Sequence, residues 1–215
     1  MLTLIIVSAS MLENSYAQTP EPVKLAESPP ETSFSGDPNA PRRHFRVRRA
    51  KHLDSATARA IYNGQKAGMA KGYAIAEDAT VRRYQTWKRY NTAPYQSSTH
   101  GNRYVNNYAN TKASRYGAYD SAGTLPVGSV IAKDSFVVDK KGAAAPGPLF
   151  IMEKMPEGFN YVSGDWRYTM ILPDGSRFGT TKGDNAARVE FCISCHLARE
   201  KFDHLFFLPK EWRVQ

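Results

Sequence analysis

Apolar and polar positions divide the chain into four textures. Residues 2–12 form a short apolar run, and residues 18–41 are rich in Pro, Glu, Ser and Thr with few large apolar side chains. An Ala-rich stretch from about Leu53 toward Ala79 follows, and from Asn91 onward short aromatic and β-branched runs alternate with Gly and Pro. The second texture cannot bury enough surface to offset the entropy of ordering it, which predicts a disordered linker that turns basic and ends near residue 52. In the third, Asp54 or Ser55 stands where a helix N-cap belongs. Ala60, Gly64, Gly68, Gly72 and Ala76 recur every four residues. A continuous helix would carry them as one narrow stripe suited to close packing, whereas a helix broken at a glycine would not; each glycine costs about 1 kcal/mol of helix propensity. Residues 81–90, with Tyr84 and Trp87 three apart, read as a further amphipathic turn or two leading into the core.

Residues 104–109, 129–138, 149–154 and 166–172 have the composition of strands. Pro173, Asp174 and Gly175 supply turn chemistry, and residues 176–179 can return as a hairpin partner. Asn185 offers an N-cap to a late helix, and Lys201 lies near its end, where the helix dipole favours a cation. Residues 205–208, before Pro209, can pack back beneath that helix or pair at the sheet edge. The expected fold class is α+β: an antiparallel β-sheet with flanking helices in a single domain over residues 53–215, with a helical lead-in at 53–90 and the sheet and last helix at 91–215. With 215 residues, 41% of them hydrophobic, the chain can bury one ordinary core.

Charge and the N-terminal run bear on location and partners. The net charge is +9, and much of the excess lies in Arg42, Arg43, Arg46, Arg48, Arg49 and Lys51, beside the Pro-rich tract. No nucleic-acid-binding module accompanies it, so no nucleic acid is expected as a partner. The cluster reads either as a solvated arm or as a dock for anionic lipid head groups or an acidic redox partner. No stretch of about 18 apolar residues occurs. Ser15, Tyr16 and Ala17 make a small-x-small site before Gln18, so residues 1–17 read as a signal peptide, although no Lys or Arg precedes the apolar run.

The most specific signal is Cys192-Ile193-Ser194-Cys195-His196. This C-x-x-C-H run reads as a covalent c-type haem attachment site, in which two thiols add to the haem vinyl groups and the adjacent imidazole becomes an axial ligand to the iron. On a helix, Cys192, Cys195 and His196 share a face. A structural zinc site wants four ligands, whereas the chain has 2 Cys in total. A redox dithiol belongs at a strand-to-helix start in a βαβ pattern, and a disulfide would leave the histidine unexplained. One covalent haem c, attached on a C-terminal helix, is therefore expected. Covalent haem c is assembled on the outer side of the bacterial inner membrane, which supports a periplasmic location independently.

The stretch from Trp87 to Val214 resembles the cytochrome P-460 and cytochrome c′-beta family. The resemblance rests on His100-Gly-Asn-Arg103-Tyr-Val, on Gly128-Ser-Val-Ile-Ala-Lys133-Asp, on the Gly164-Asp-Trp166 strand start and on the run from Cys192 to His196. It implies a small exported monohaem protein built on an antiparallel sheet, with Cys192 and Cys195 holding the haem and His196 as its proximal ligand. It further implies that Lys133 matches the lysine that some hydroxylamine-oxidising members bond to the porphyrin, and that Arg103 lies near the haem pocket. An ordinary strand lysine or a partner for a haem propionate is the plainer alternative for Lys133. The family's iron has an open distal face where hydroxylamine or nitric oxide binds, so the implied activity is binding or oxidation of a small nitrogen compound, with a redox partner protein and a homodimer as expected associations. Asp134, Glu153 and Asp165 are candidates for a proton-accepting carboxylate. The competing function is electron transfer by six-coordinate iron, with Met152, Met155, Met170, His100 or His204 as the sixth ligand; a third is a non-catalytic haem subunit of a larger complex.

Overall fold

A computed structural model describes residues 37–48 and 50–215, together with the backbone of Thr32–Ser33. The expected signal peptide, most of the Pro-rich tract and Arg49 lie outside the described residues. In chain order the elements are β1 (Thr32–Ser33), β2 (Arg46–Val47), α1 (Ser55–Ala74), α2 (Ala79–Arg83), β3 (Lys88–Arg89), β4 (Tyr95–Ser97), β5 (Arg103–Ala109), β6 (Val130–Val138), β7 (Ala144–Pro146), β8 (Leu149–Lys154), β9 (Trp166–Ile171), β10 (Arg177–Thr180) and α3 (Glu190–Leu197). The fold is α+β. An 8-stranded antiparallel sheet runs β10-β9-β8-β6-β5-β3, with β4 also on β5 and β7 also on β6. No helix of the described residues is long and apolar enough to cross a membrane.

Strand alternation gives the sheet two different faces. Val130, Ala132, Phe136 and Val138 of β6, with Tyr104 and Tyr108 of β5, pack against Ile61, Tyr62, Met69 and Tyr73 of α1. Ile131 of β6, Met152 of β8 and Trp166 and Tyr168 of β9 face the other way, toward α3 and Leu205. Helix α1 is continuous through its glycines, capped by Asp54, whose carboxylate accepts from the Thr57 amide at 2.8 Å. Its buried face is the aromatic and aliphatic stripe, and the small-residue stripe does not form a packing seam. A Cβ on Gly64 or Gly68 would meet nothing, while only Gly72 sits tight, under the Pro173 carbonyl of the β9–β10 turn.

Two expectations at the ends are corrected. Residues 41–48, read as linker, pack on the domain: Pro41 and Val47 are buried, and the Val47 amide donates to the Gly101 carbonyl at 2.9 Å. Asn185 does not cap the late helix, because a 3₁₀ turn, Ala186–Val189, intervenes and the Asn185 side chain makes no capping bond.

The carboxylate of Asp134 lies on the α1 face, one residue and therefore one face away from Lys133. It is fully buried, accepting from Tyr62 Oη at 2.7 Å, Tyr84 Oη at 3.1 Å and Asn106 Nδ2 at 3.0 Å. Burial pushes its pKa up to about 6, against the lowering effect of those three donors. The fold thus binds this proton more tightly than the unfolded chain does, and this group's contribution to stability falls as pH rises from about 4 to about 6. Relative to the native protein, an Asp134→Asn variant should therefore gain up to about 3 kcal/mol in denaturant unfolding between pH 4 and pH 7. The comparison cancels buried histidines, which both proteins carry; a pH-independent difference would refute the raised pKa.

Candidate functional site

On the sheet face away from α1, α3 roofs a narrow cleft. Its lining includes Ile131 and Lys133 of β6, Phe150 and Met152 of β8, Tyr168 and Met170 of β9, Cys192 and His196 of α3, and His44 and His100. The helical spacing places Cys192 and His196 on the cleft, while Cys195 is exposed and is not among the lining residues. Both cysteines are free thiols.

One hydrogen bond sets the orientation of His196: its Nδ1 lies 2.6 Å from the His204 carbonyl. A carbonyl only accepts, so Nδ1 carries the proton and Nε2 is the bare, ligating nitrogen. Burial, reinforced by the charge of Lys133, pushes the His196 pKa down to about 3 and keeps the ring neutral. The carbonyl is aimed by an unusual turn, in which Asp203 (φ 54) and His204 (φ 59) are both left-handed. Asp203 holds that turn from three sides. Its carboxylate takes Lys154 Nζ at 2.5 Å and the Leu125 amide at 2.8 Å, and its carbonyl takes Trp166 Nε1 at 2.9 Å. Gly164, itself left-handed, allows the approach, because a Cβ there would collide with the His204 ring.

Lys133 is 6% exposed and has no hydrogen-bond or ion-pair partner among the described residues. Burial pushes its pKa down to about 8. His100 is buried too, with Nδ1 2.9 Å from Ser97 Oγ and 3.2 Å from Thr99 Oγ1. His44 stacks on His100 at 5.0 Å between ring centres and meets Phe150 and Phe191 edge-on. Arg103 lies just behind the lining, its guanidinium donating to the Phe45 carbonyl at 2.5 Å and the His100 carbonyl at 3.1 Å. It fastens residues 44–47 to the end of β5.

The structure brings Cys192, His196, Lys133, His100, Met152 and Met170 together and leaves the other candidates out. Asp134 is on the opposite face, Glu153 pairs with Arg167, and Asp165 accepts from the Asn160 amide in a turn. Neither Met155 nor His204 lines the cleft; His204 contributes its carbonyl instead. Reading the sequence alone missed His44. The alternation of Phe45 and Val47 between arginines is strand-like and was the available signal, masked by the charge around it.

The donor set fits a haem better than its rivals. Burial raises the Cys192 thiol to about 12 and raises Cys195 as well, the reverse of a reactive dithiol. Among the described residues no three His, Cys, Asp or Glu side chains are grouped to hold a metal ion by themselves. The cleft wall is mostly apolar, with a few nitrogen groups and the Thr169 side chain, and the buried hydroxyl of Tyr168, another lining residue, has no partner among the described residues. Replacing Asp203 by Asn should leave Lys154 as an uncompensated charge in a site where both side chains are at most 10% exposed. A loss of about 3–5 kcal/mol in denaturant unfolding is expected; a loss below about 1 kcal/mol would show that the pair behaves as a surface ion pair.

No curated protein matches the chain. The family model described as Cytochrome P460 matches residues 81–207, which span the sheet from α2 onward, the cleft floor, α3 and the turn that carries the His204 carbonyl. With a cleft whose ligand set suits a haem and a match over more than half its length, the chain belongs to the Cytochrome P460 family, whose members are haem-binding iron proteins.

Proposed function

We propose that the protein is an exported monohaem c-type cytochrome that binds or oxidises a small nitrogen compound, hydroxylamine or nitric oxide, at an open iron face. The observation that carries this reading is the shared cleft of Cys192 and His196, with Cys195 on the same helix and a neutral, oriented imidazole inside. Cys192 and Cys195 would hold the haem through their thiols, and His196 Nε2 would be the nitrogen offered to its iron. A haem held there would supply an iron able to bind a small ligand and accept electrons for a redox partner protein.

The alternative, electron transfer by six-coordinate iron, would draw a ligand from Met152, Met170 or His100. Met152 packs in the core with Ile131 and Tyr168, and Met170 packs with Phe150 and Phe178, which favours the open iron over a methionine ligand. His100, held at Nδ1 by Ser97, is the rival ligand that the spectrum of the ferrous protein tests. Lys133 lines the same cleft, its amine without a hydrogen-bond or ion-pair partner among the described residues and its pKa held below the ordinary lysine range by burial. This supports its proposed role as the residue that bonds the porphyrin. The apolar run ahead of Gln18 and the attachment motif support export to the periplasm.

The mass of the denatured protein should exceed that of the polypeptide by one haem, and the Cys192→Ala/Cys195→Ala double variant should lose that increment. Retention of covalent haem by the double variant would refute the attachment. The ferrous protein should show a high-spin spectrum that changes with nitric oxide or carbon monoxide, and a low-spin spectrum indifferent to both gases would refute the open site. A red-shifted, broadened Soret band that reverts to an ordinary one in Lys133→Arg is expected from the lysine bond; an ordinary band in the native protein would exclude it.

A further inference from the structure

Oxidation of a ligand bearing N–H or O–H groups needs somewhere for the protons to go. Among the described residues the cleft lining contains no carboxylate, and the three carboxylates expected from the sequence are all engaged elsewhere. His100 has a different connection. Its ring lines the cleft, it is 6% exposed, and no described residue partners its Nε2. Its other nitrogen reaches Ser97 Oγ and Thr99 Oγ1, which are themselves 3.1 Å apart. Thr99 is exposed and lines a second, outer groove of about 600 Å³ with Arg43, Arg46, Ser98 and Gly101. His44 belongs to both spaces, so its ring, stacked on His100, is the partition between them.

We propose that His100 is the proton acceptor of the cleft and that Ser97 and Thr99 form its exit to the outer groove. The inference rests on the reading of the cleft as a haem site. A proton leaves the N–H or O–H of a bound ligand for His100 Nε2. The proton on Nδ1 passes to a hydroxyl of Ser97 or Thr99, and that hydroxyl's own proton passes to water in the groove. No electron is assigned to these residues. Hydroxyls both donate and accept, so the line can reset without moving a backbone atom. The groups facing the ring are all basic: Lys133 from β6, Arg103 from β5, His196 from α3 and His44 from the segment before α1.

Hydrogen cyanide tests this without turnover, because it gives up a proton on binding ferric haem, whereas carbon monoxide on the ferrous protein gives up none. In stopped-flow measurements on the haem-loaded protein, His100→Gln should slow cyanide association about 100-fold and leave carbon monoxide association unchanged. The Ser97→Ala/Thr99→Val double variant, which keeps the imidazole but removes both hydroxyls, should slow cyanide association in the same direction and leave carbon monoxide association unchanged. An unchanged cyanide rate in both variants would overturn the proposal. So would equal slowing of both ligands, which means a damaged cleft, or a low-spin native spectrum that His100→Gln converts to high-spin, which makes the ring an iron ligand. A native protein that holds no haem would overturn the haem reading itself, and mass measurement separates that outcome from the others.

Discussion

The position of one backbone carbonyl, that of His204, governs the site. A neutral imidazole has one donor and one acceptor, so fixing the donor end on a carbonyl fixes which nitrogen is presented to the cleft. That carbonyl sits in a doubly left-handed turn, a conformation that persists only where its surroundings over-determine it. The surroundings are Asp203 with its three partners, the Gly164 gap and the floor strands β8 and β9, from which Lys154 and Trp166 reach across. The helix bearing the cysteines and the sheet below them are therefore joined through a loop that contains neither a cysteine nor a strand.

The second constraint is the period of the strand. On β6, Lys133 enters the cleft and Asp134 enters the opposite core, so two adjacent charged residues end in separate environments. Proximity in sequence made Asp134 a candidate for acid–base work beside Lys133. In a strand, adjacency is the surest way to be on different faces. Asp134 serves instead as the acceptor that satisfies two buried tyrosines, and its burial there, not the hydrogen bonds, raises its pKa.

Much of the fold was legible because its signals are local. The Asp54 cap, the four long strands and the Pro173-Asp174-Gly175 turn depend on residues a few positions apart, and each appears where the pattern put it. The placement of Cys192, Cys195 and His196 on one helix was legible for the same reason. Short strands such as Tyr95–Ser97 and Ala144–Pro146 carry too few residues to show a period, and the Asp203 hub joins positions that no window spans. His44 was hidden for a physical reason as well: arginines on both sides gave the segment the composition of a solvated arm, while Phe45 and Val47 supplied the apolar contacts that seat it.

The seating of residues 41–48 has a consequence for the order of assembly. Those residues are among the first described and they wall a space whose roof, α3, is among the last, so the enclosure requires contacts between chain segments about as distant as this fold allows. Contacts of such long sequence separation carry the largest loop-closure cost and form late. A chain beginning at residue 53 would retain the family match, the cysteines and the sheet, yet Arg103 would lose the Phe45 carbonyl and the cleft would lose one side. The residues that enclose the cleft therefore begin ahead of the segment that the family model matches, and a state with the sheet formed but the front segment undocked would leave the cleft open on the side of the outer groove.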